Sequence, residues 1–262
     1  MMRREKRDRG AGGARTYATW EFAQSDIAGY QQDLLLRTTG LEQDSDWFFQ
    51  FYECDIGGAH AYFGIQTPGL LIFSRFGTTD LQEIRSEPGS HTEGGTYEGP
   101  FISLRKSLGR PLGAGRYGIE VRRSSGDHRG DWFGFWVTTP EGSLEHASTF
   151  VGQMRFPRLD PQTEASIQNV GTSWTEYWPD INPQNRRAAP RVDLVFEEPV
   201  VNSGVLPTAV RLRYAAQPAA DQELLTNGAV HVRAGRGVER IERPRDFERR
   251  GGIYQPTHDM TL

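Results

Sequence analysis

The residues of this sequence most suited to chemistry are aromatic side chains that alternate along strand-like runs, with carboxylates nearby. In residues 131–138, Trp132 and Trp136 fall on one face, and Gly134 leaves a slot between two indoles about 13 Å apart along the strand. Sugars stack their apolar faces on such rings, while polar neighbours bind the sugar hydroxyls. The pattern predicts a carbohydrate-binding groove with an aromatic floor.

Four further rings are predicted to line this groove as ligand-binding residues: Tyr52, Tyr62, Trp174 and Trp178. In the hairpin-like stretch 45–66, rings fall on both faces of the predicted strands, and one face suffices to build a core. The second face needs its own explanation. A second buried layer, made by sheet or tail packing, accounts for these rings as well as a glycan groove does, and the sequence leaves both interpretations open.

Three carboxylates are candidates for acid–base catalysis on a bound glycan: Glu93, Asp131 and Glu176. Glu93 lies in the glycine-rich segment 91–100, which an ordinary connection between strands also explains. Glycoside hydrolysis uses two carboxyl groups that are about 5 Å or about 6.5–9.5 Å apart. The alternative function is therefore a carbohydrate-active enzyme, either a glycoside hydrolase or a polysaccharide lyase.

Other site chemistries find little support. The histidines form no pair at zinc-ligand spacing, and no Gly-x-Ser-x-Gly elbow marks a serine hydrolase. Residues 42–46 offer alternating oxygens to a structural Ca²⁺ ion but lack the glycine and final glutamate of an EF-hand loop. Beyond this weak calcium motif, we expect no metal and no cofactor. The single cysteine, Cys54, is expected to be a buried apolar side chain.

Charge and hydropathy restrict the partners and the location. A net charge of −4 argues against a nucleic-acid partner, which favours a basic stripe. No stretch approaches the roughly 20 apolar residues of a membrane span, so we expect a soluble protein with no membrane partner. The basic start of the chain lacks the apolar segment of a signal peptide. We expect a cytoplasmic protein, or a secreted one if a leader precedes this sequence. The oligomeric state stays open.

The candidate residues lie on short strand-like segments separated by frequent turns. Glycine and proline contribute 30 and 15 of the 262 residues and are spread along the chain, and no long amphipathic helix stands out. Two packed antiparallel sheets bury such strands economically. We predict an all-β fold: an antiparallel β-sandwich of jelly-roll or lectin-like type, with a dozen or more strands and at most short helices.

The predicted organisation is one domain between two tails. Residues 1–14 are charged and rich in glycine, without periodicity, and are predicted to be a disordered basic tail. Residues 15–243 form the sandwich, with a sub-boundary near 180–190 where prolines cluster. Residues 244–262 are predicted to form a loose C-terminal tail.

Four short motifs carry a resemblance to a known family. They are Tyr-Phe-Gly-Ile-Gln at 62–66, Leu-Ile-Phe-Ser at 71–74, Glu-Gly-Gly-Thr at 93–96, and Tyr117 at the start of a strand. Together they resemble the domain of unknown function 3472 family of uncharacterised bacterial proteins, over about residues 16–180. Where that family carries Trp-Asp after Ile-Phe-Ser, this chain has Arg75-Phe76.

The resemblance implies a β-sandwich with an association to carbohydrates, and it supplies no reaction. It adds Gln66 as a ligand-binding residue and draws attention to Ser74 and the loop of Glu93. The main hypothesis is a lectin-like module that binds a glycan or polysaccharide. The alternatives are the carbohydrate-active enzyme and an assembly protein whose rings form a subunit interface.

Overall fold

The chain forms strands throughout the part that the structure describes. The computed structural model describes residues 15–39, 41, 47–96, 99–140, 148–177, 189–214, 219–241 and 243–257. The nineteen strands within these residues are β1 (Arg15–Glu21), β2 (Gly29–Leu36), β3 (Trp47–Ile56), β4 (Ala59–Gln66), β5 (Leu70–Phe76), β6 (Ile84–Ser86), β7 (Ser90–Gly95), β8 (Phe101–Ser107), β9 (Gly115–Asp127), β10 (Gly130–Thr138), β11 (Thr149–Phe156), β12 (Val170–Tyr177), β13 (Val192–Phe196), β14 (Val200–Val201), β15 (Ala209–Tyr214), β16 (Ala220–Leu224), β17 (Val230–Ala234), β18 (Arg245–Arg250) and β19 (Ile253–Pro256).

The strands form two antiparallel sheets. Sheet A has the order β19-β18-β15-β1-β12-β3-β4-β5-β8-β7, and sheet B has the order β16-β17-β13-β2-β9-β10-β11-β6, with β14 paired to β2. The predicted all-β sandwich is confirmed, because the two sheets pack together over a continuous hydrophobic core. A 3-10 helix, Leu81–Glu83, precedes β6. Among the described residues there is no helix with the length and apolarity needed to cross a bilayer.

Aromatic side chains dominate the core between the sheets. Phe73 of sheet A packs on Phe135 of sheet B with ring centroids 5.6 Å apart, and Tyr52 stacks on Tyr30 at 4.3 Å. Such ring pairs add stabilisation beyond the area that they bury. Cys54 is buried in the same core, and burial raises the pKa of its thiol. The cysteine is therefore an inert apolar side chain.

A β-bulge in β3 explains why this strand carries rings at consecutive positions. Phe51 and Tyr52 together oppose the single residue Ser173 of β12, and both rings are fully buried. The extra residue shifts the alternation of side chains by one position. As a result, Gln50 before the bulge and Glu53 after it both face away from sheet B, on the outer face of sheet A.

Residues 245–256 also belong to sheet A. Instead of the predicted loose tail, residues 245–256 form the hairpin β18–β19 beside β15. The Tyr254 hydroxyl donates a hydrogen bond to Glu198 at 2.7 Å, a long-range contact that composition does not reveal. The predicted basic tail, residues 1–14, lies outside the described residues, as does most of the sub-boundary predicted near 180–190.

Candidate functional site

Four aromatic side chains form a continuous strip across the outer face of sheet A. Trp174 of β12 contacts Tyr62 of β4 with ring centroids 6.5 Å apart. Phe76 of β5 lies 5.8 Å from Tyr62 and 6.3 Å from Phe101 of β8. From β12 to β8 the strip crosses four strand spacings, which is roughly 19 Å at about 4.8 Å each. These four rings are called the aromatic strip below.

Strand alternation places the strip outside the core. In β4, Ala61, Phe63 and Ile65 are buried between the sheets, so Tyr62 and Gly64 point to the opposite face. Each ring of the strip is partly exposed to solvent, whereas the neighbouring core rings are enclosed. A ligand can therefore reach the strip while the sandwich stays folded.

Polar side chains border the strip along one row of the sheet. In register across neighbouring strands lie Glu53, Tyr62, Ser74, Ser103 and Glu93. The hydroxyls of Ser74 and Ser103 share a hydrogen bond of 2.9 Å. Arg105 Nη1 lies 2.7 Å from Glu93 Oε2. The two serines are buried beneath this surface, so the groups of the row that can hydrogen bond to sugar hydroxyls are the carboxylates of Glu53 and Glu93, together with the guanidinium of Arg105.

A histidine held by two carboxylates lies at one edge of the strip. His60 Nε2 is 3.2 Å from Glu53 Oε1, and His60 Nδ1 is 3.5 Å from Asp55 Oδ1. The imidazole also packs 5.3 Å from the ring of Phe76. The hydrogen bond with Glu53 is the largest of the causes that raise the pKa of His60 above its ordinary value. This imidazole is a group that can exchange a proton with a ligand on the strip.

Gln50 lies beneath the first two rings of the strip. It faces Trp174 on one side and Gly64 on the other, and it is 0 % exposed. None of the described residues hydrogen bonds to either polar atom of its amide, or to the indole N–H of Trp174. Gly64 makes room for this amide, because a Cβ there would lie 2.3 Å from Gln50 Oε1.

Five of the predicted site residues share this outer face: Tyr62, Gln66, Glu93, Trp174 and Glu176. Tyr62 and Trp174 are in contact, as described above. Glu93 and Glu176 lie on β7 and β12, five strand spacings or about 24 Å apart along the sheet. This separation exceeds the upper value of about 9.5 Å for a two-carboxylate mechanism. The predicted pairing of these two acids is wrong.

The prediction that Tyr52 lines the groove is also wrong. Its ring is fully buried between the sheets, and it lies against Gly171, where a Cβ would come within 2.3 Å of the ring. The bulge in β3 turns this side chain inward, opposite to the face that simple alternation from Gln50 predicts.

The two tryptophans predicted to form the groove floor lie on sheet B, on the far side of the sandwich from Glu93. Trp132 is 3 % exposed, and the guanidinium of Arg85 covers its ring at 3.7 Å from the centroid. Trp136 folds back over Gly134, where a Cβ would lie 2.2 Å from the indole. The predicted slot is filled by Trp136 itself, so the expectation of an open groove there is wrong.

Asp131 holds a loop in place and does not fit a catalytic role. It is 1 % exposed and accepts hydrogen bonds from Arg158 Nε at 2.9 Å and Nη2 at 2.6 Å. The backbone N–H of Ala165 donates a third, at 2.6 Å. The hydrogen bond from Arg158 is the largest of the causes that hold the pKa of Asp131 below its ordinary value. A carboxylate in this environment is neither a ready proton donor nor accessible to a glycan.

Two predictions fall outside the described residues. These are the ligand-binding role of Trp178 and the calcium motif at 42–46. Within the part of the chain that is described, no group of three or more His, Cys, Asp or Glu side chains is arranged to hold a metal ion.

Several residues of this face were not predicted as site residues: Gln50, His60, Phe76, Phe101, Ser103 and Arg105. Phe101, Ser103 and Arg105 alternate along β8 with buried residues, so strand periodicity alone could have grouped them. Gln50 required knowledge of the bulge in β3. His60 required the pairing of β3 with β4, which sets its two carboxylate neighbours.

A broad depression of about 880 Å³ lies elsewhere on the outer face of sheet A, beside β15 and β18. Two of its arginines already have partners: Arg211 lies 2.7 Å from Glu21, and Arg213 lies 2.5 Å from Asp246. Because these charges are neutralised within the protein, the candidate site is placed on the aromatic strip instead.

Comparisons with known proteins assign no family and no site residues to this chain. No family model matches the chain, and no curated protein matches it. A solved crystal structure, that of the marine PL-14 alginate lyase from Aplysia kurodai, is 9 % identical and covers 64 % of this chain and 69 % of that chain, with a TM-score of 0.23. At this TM-score we draw nothing from the likeness. The resemblance to the domain of unknown function 3472 family stays a prediction.

Proposed function

We propose that the protein binds a glycan along the aromatic strip on the outer face of sheet A. The observation that supports this most is the strip itself: four partly exposed rings in mutual contact, bordered by hydrogen-bonding groups. Apolar sugar faces pack on rings of this kind, and the polar border orients the ring through its hydroxyls. The solvent-accessible polar side chains beside the rings, Arg105, Glu93 and His60, are groups that can orient a bound sugar.

Affinity electrophoresis through gels that contain a panel of polysaccharides tests this proposal. Tyr62→Ala and Trp174→Ala each remove one ring from the strip. A ring contact contributes about 0.5–1.5 kcal/mol, so each variant should lose roughly twofold to twelvefold in retention. Trp136→Ala is the matched control, since it removes a partly buried ring from the outer face of sheet B. Equal retention of all three variants and the unchanged protein would contradict the proposal.

A second candidate function, a carbohydrate-active enzyme, is favoured by one observation. His60 lies between Glu53 and Asp55 beside Phe76 of the strip, so a general acid–base group faces the proposed ligand. Shortened products in mass spectra, lost in His60→Asn while retention persists, would support this function. Unsaturated product ends would distinguish a lyase from a hydrolase. Retention without any product would support glycan binding and exclude the enzyme function on these polysaccharides.

Assembly through an aromatic interface has less support. The large hydrophobic side chains that are most exposed within the described residues are aliphatic: Leu81, Leu159, Leu206, Ile241 and Ile253. An aromatic subunit interface would place rings among the most exposed side chains of the separated chain, and the rings of the strip are each only partly exposed. Light scattering that shows one monomer mass over a hundredfold range of concentration would exclude this function.

A further inference from the structure

Gln50 is an unexpected residue for its position. An amide that is removed from water without hydrogen-bond partners destabilises a fold, and such groups are rare in native proteins. Gln50 is fully enclosed, and no described residue hydrogen bonds to its amide. Leucine or methionine has similar volume and would fill the same space without this penalty. The described residues therefore leave this amide in need of a partner, which a bound ligand would supply.

The rings of Trp174 and Tyr62 cover this amide. Strands β12 and β4 flank β3 in sheet A, so two rings that touch across β3 must meet above its outer face, where Gln50 lies. The indole N–H of Trp174 also has no partner among the described residues. Both rings are side chains rather than backbone, so a change of rotamer can move them away from the amide.

The unused polar atoms fit an uncharged, hydroxylated ligand. The Gln50 amide offers one acceptor oxygen and two N–H donors, and Trp174 adds one N–H donor. A sugar hydroxyl both donates and accepts, so two adjacent hydroxyls satisfy both ends of the amide. A carboxylate or sulfate only accepts, and it would leave Gln50 Oε1 without a donor.

The charges on the same face also disfavour an anionic ligand. Glu53 and Glu93 lie in the polar row. Asp55, two residues after Glu53 in β3, points to the same outer face. Arg105, the guanidinium beside that row, is already paired with Glu93. The Arg105–Glu93 pair is neutral, and His60 offsets only part of the charge of Glu53 and Asp55. A polyanion laid along the strip would therefore still meet like charges, which suppress binding of the wrong partner.

We propose that Gln50 and Trp174 form a subsite for adjacent hydroxyls of a neutral sugar, and that this face discriminates against uronate and sulfated glycans. This inference rests on the proposed glycan-binding function. When the sugar binds, the Trp174–Tyr62 contact opens, Gln50 Oε1 accepts a hydrogen bond from one hydroxyl, and the amide N–H group donates to the next.

The test uses the full chain with two neutral probes, a soluble β-glucan and a galactomannan, and two acidic probes, alginate and polygalacturonate. Gln50→Leu and the closely isosteric Gln50→Met remove the amide. Gln153→Leu is the matched control, because Gln153 lies on the outer face of sheet B, where it donates to Ser124 at 2.9 Å. We expect retention by a neutral probe, a Kd at least tenfold weaker in both Gln50 variants, and an unchanged Kd in the control.

Tryptophan fluorescence adds a readout of the cover. Titration with the retained neutral probe should change the emission, and Trp174→Phe should abolish most of that change. Preferential retention by alginate or polygalacturonate would overturn this inference. So would an unchanged Kd in Gln50→Leu and Gln50→Met when Tyr62→Ala has lost retention. Retention by no probe, or retention that Tyr62→Ala leaves intact, would instead overturn the proposed glycan-binding function.

Discussion

Replacing Gln50 by leucine should make the free protein more stable. A buried polar group without a partner costs about 1–3 kcal/mol, and Gln50 is 0 % exposed with both amide atoms unused by the described residues. Leucine has similar volume, so neither a large cavity nor a clash offsets the gain. We therefore expect an increase of about 2 kcal/mol in the free energy of unfolding. For a domain of this size, that corresponds to a rise in Tm of about 4–8 °C.

Differential scanning calorimetry and urea unfolding of the same preparations measure this change. The control Gln153→Leu replaces a partly exposed, hydrogen-bonded glutamine, and it should stay within about 0.5 kcal/mol of the unchanged protein. A rise in stability together with a loss of glycan retention would show that the amide serves a ligand at the expense of the fold. A fall in Tm for Gln50→Leu would refute the reasoning, since it would mean that the amide is satisfied in the free protein.

Three further predictions concern the surroundings of the site. Gly64→Ala should destabilise the protein by about 1–3 kcal/mol in urea unfolding, because its Cβ would meet a β3 carbonyl oxygen at 2.3 Å. Asp131→Asn should cost roughly 1.5–3 kcal/mol through the weakened contact with Arg158. Because the pKa of Asp131 is lowered in the folded protein, its contribution to the free energy of unfolding is present above about pH 3.9 and is lost as pH falls through the folded pKa. The stability of Asp131→Asn should lack this pH dependence. The pKa of His60 is raised in the folded protein, so the stability that protonated His60 contributes is present below about pH 6.5 and is lost as pH rises through the folded pKa. An NMR titration should give a His60 midpoint above that of a free histidine, and Glu53→Gln should lower it.

The strands and the fold class could be predicted from the sequence, because alternation and turn residues are local signals. In residues 131–138, alternation puts Phe133 and Phe135 on the face opposite the tryptophans, and the structure buries both phenylalanines in the core. The partners of the second face come from residues that are distant in the sequence. Whether a ring meets solvent, an arginine or a second sheet depends on strand pairing, which local patterns do not determine.

The bulge in β3 shows most clearly where local reasoning fails. Simple alternation puts Gln50, Tyr52 and Cys54 on one face. The extra residue at Phe51 leaves Tyr52 and Cys54 inside and sends Gln50 outward. A bulge is set by pairing with the partner strand, here opposite Ser173, and its position is not marked in the β3 sequence itself. Alternation therefore put Tyr52 on the wrong face and gave no reason to single out Gln50 as a site residue.

The number of rings does not decide which face of this sandwich is suited to a sugar; the partners of those rings do. On sheet B the ring faces are occupied by cations of the protein itself, because Arg85 lies 3.7 Å from the centroid of Trp132 and Arg122 lies 4.4 Å from that of Trp136. A sugar there would have to displace a cation–π contact. On sheet A the neighbouring guanidinium, that of Arg105, is held by a carboxylate instead. The described ring contacts of the strip are with one another and, at Phe76, with the imidazole of His60, so a sugar that binds there displaces ring packing of this kind.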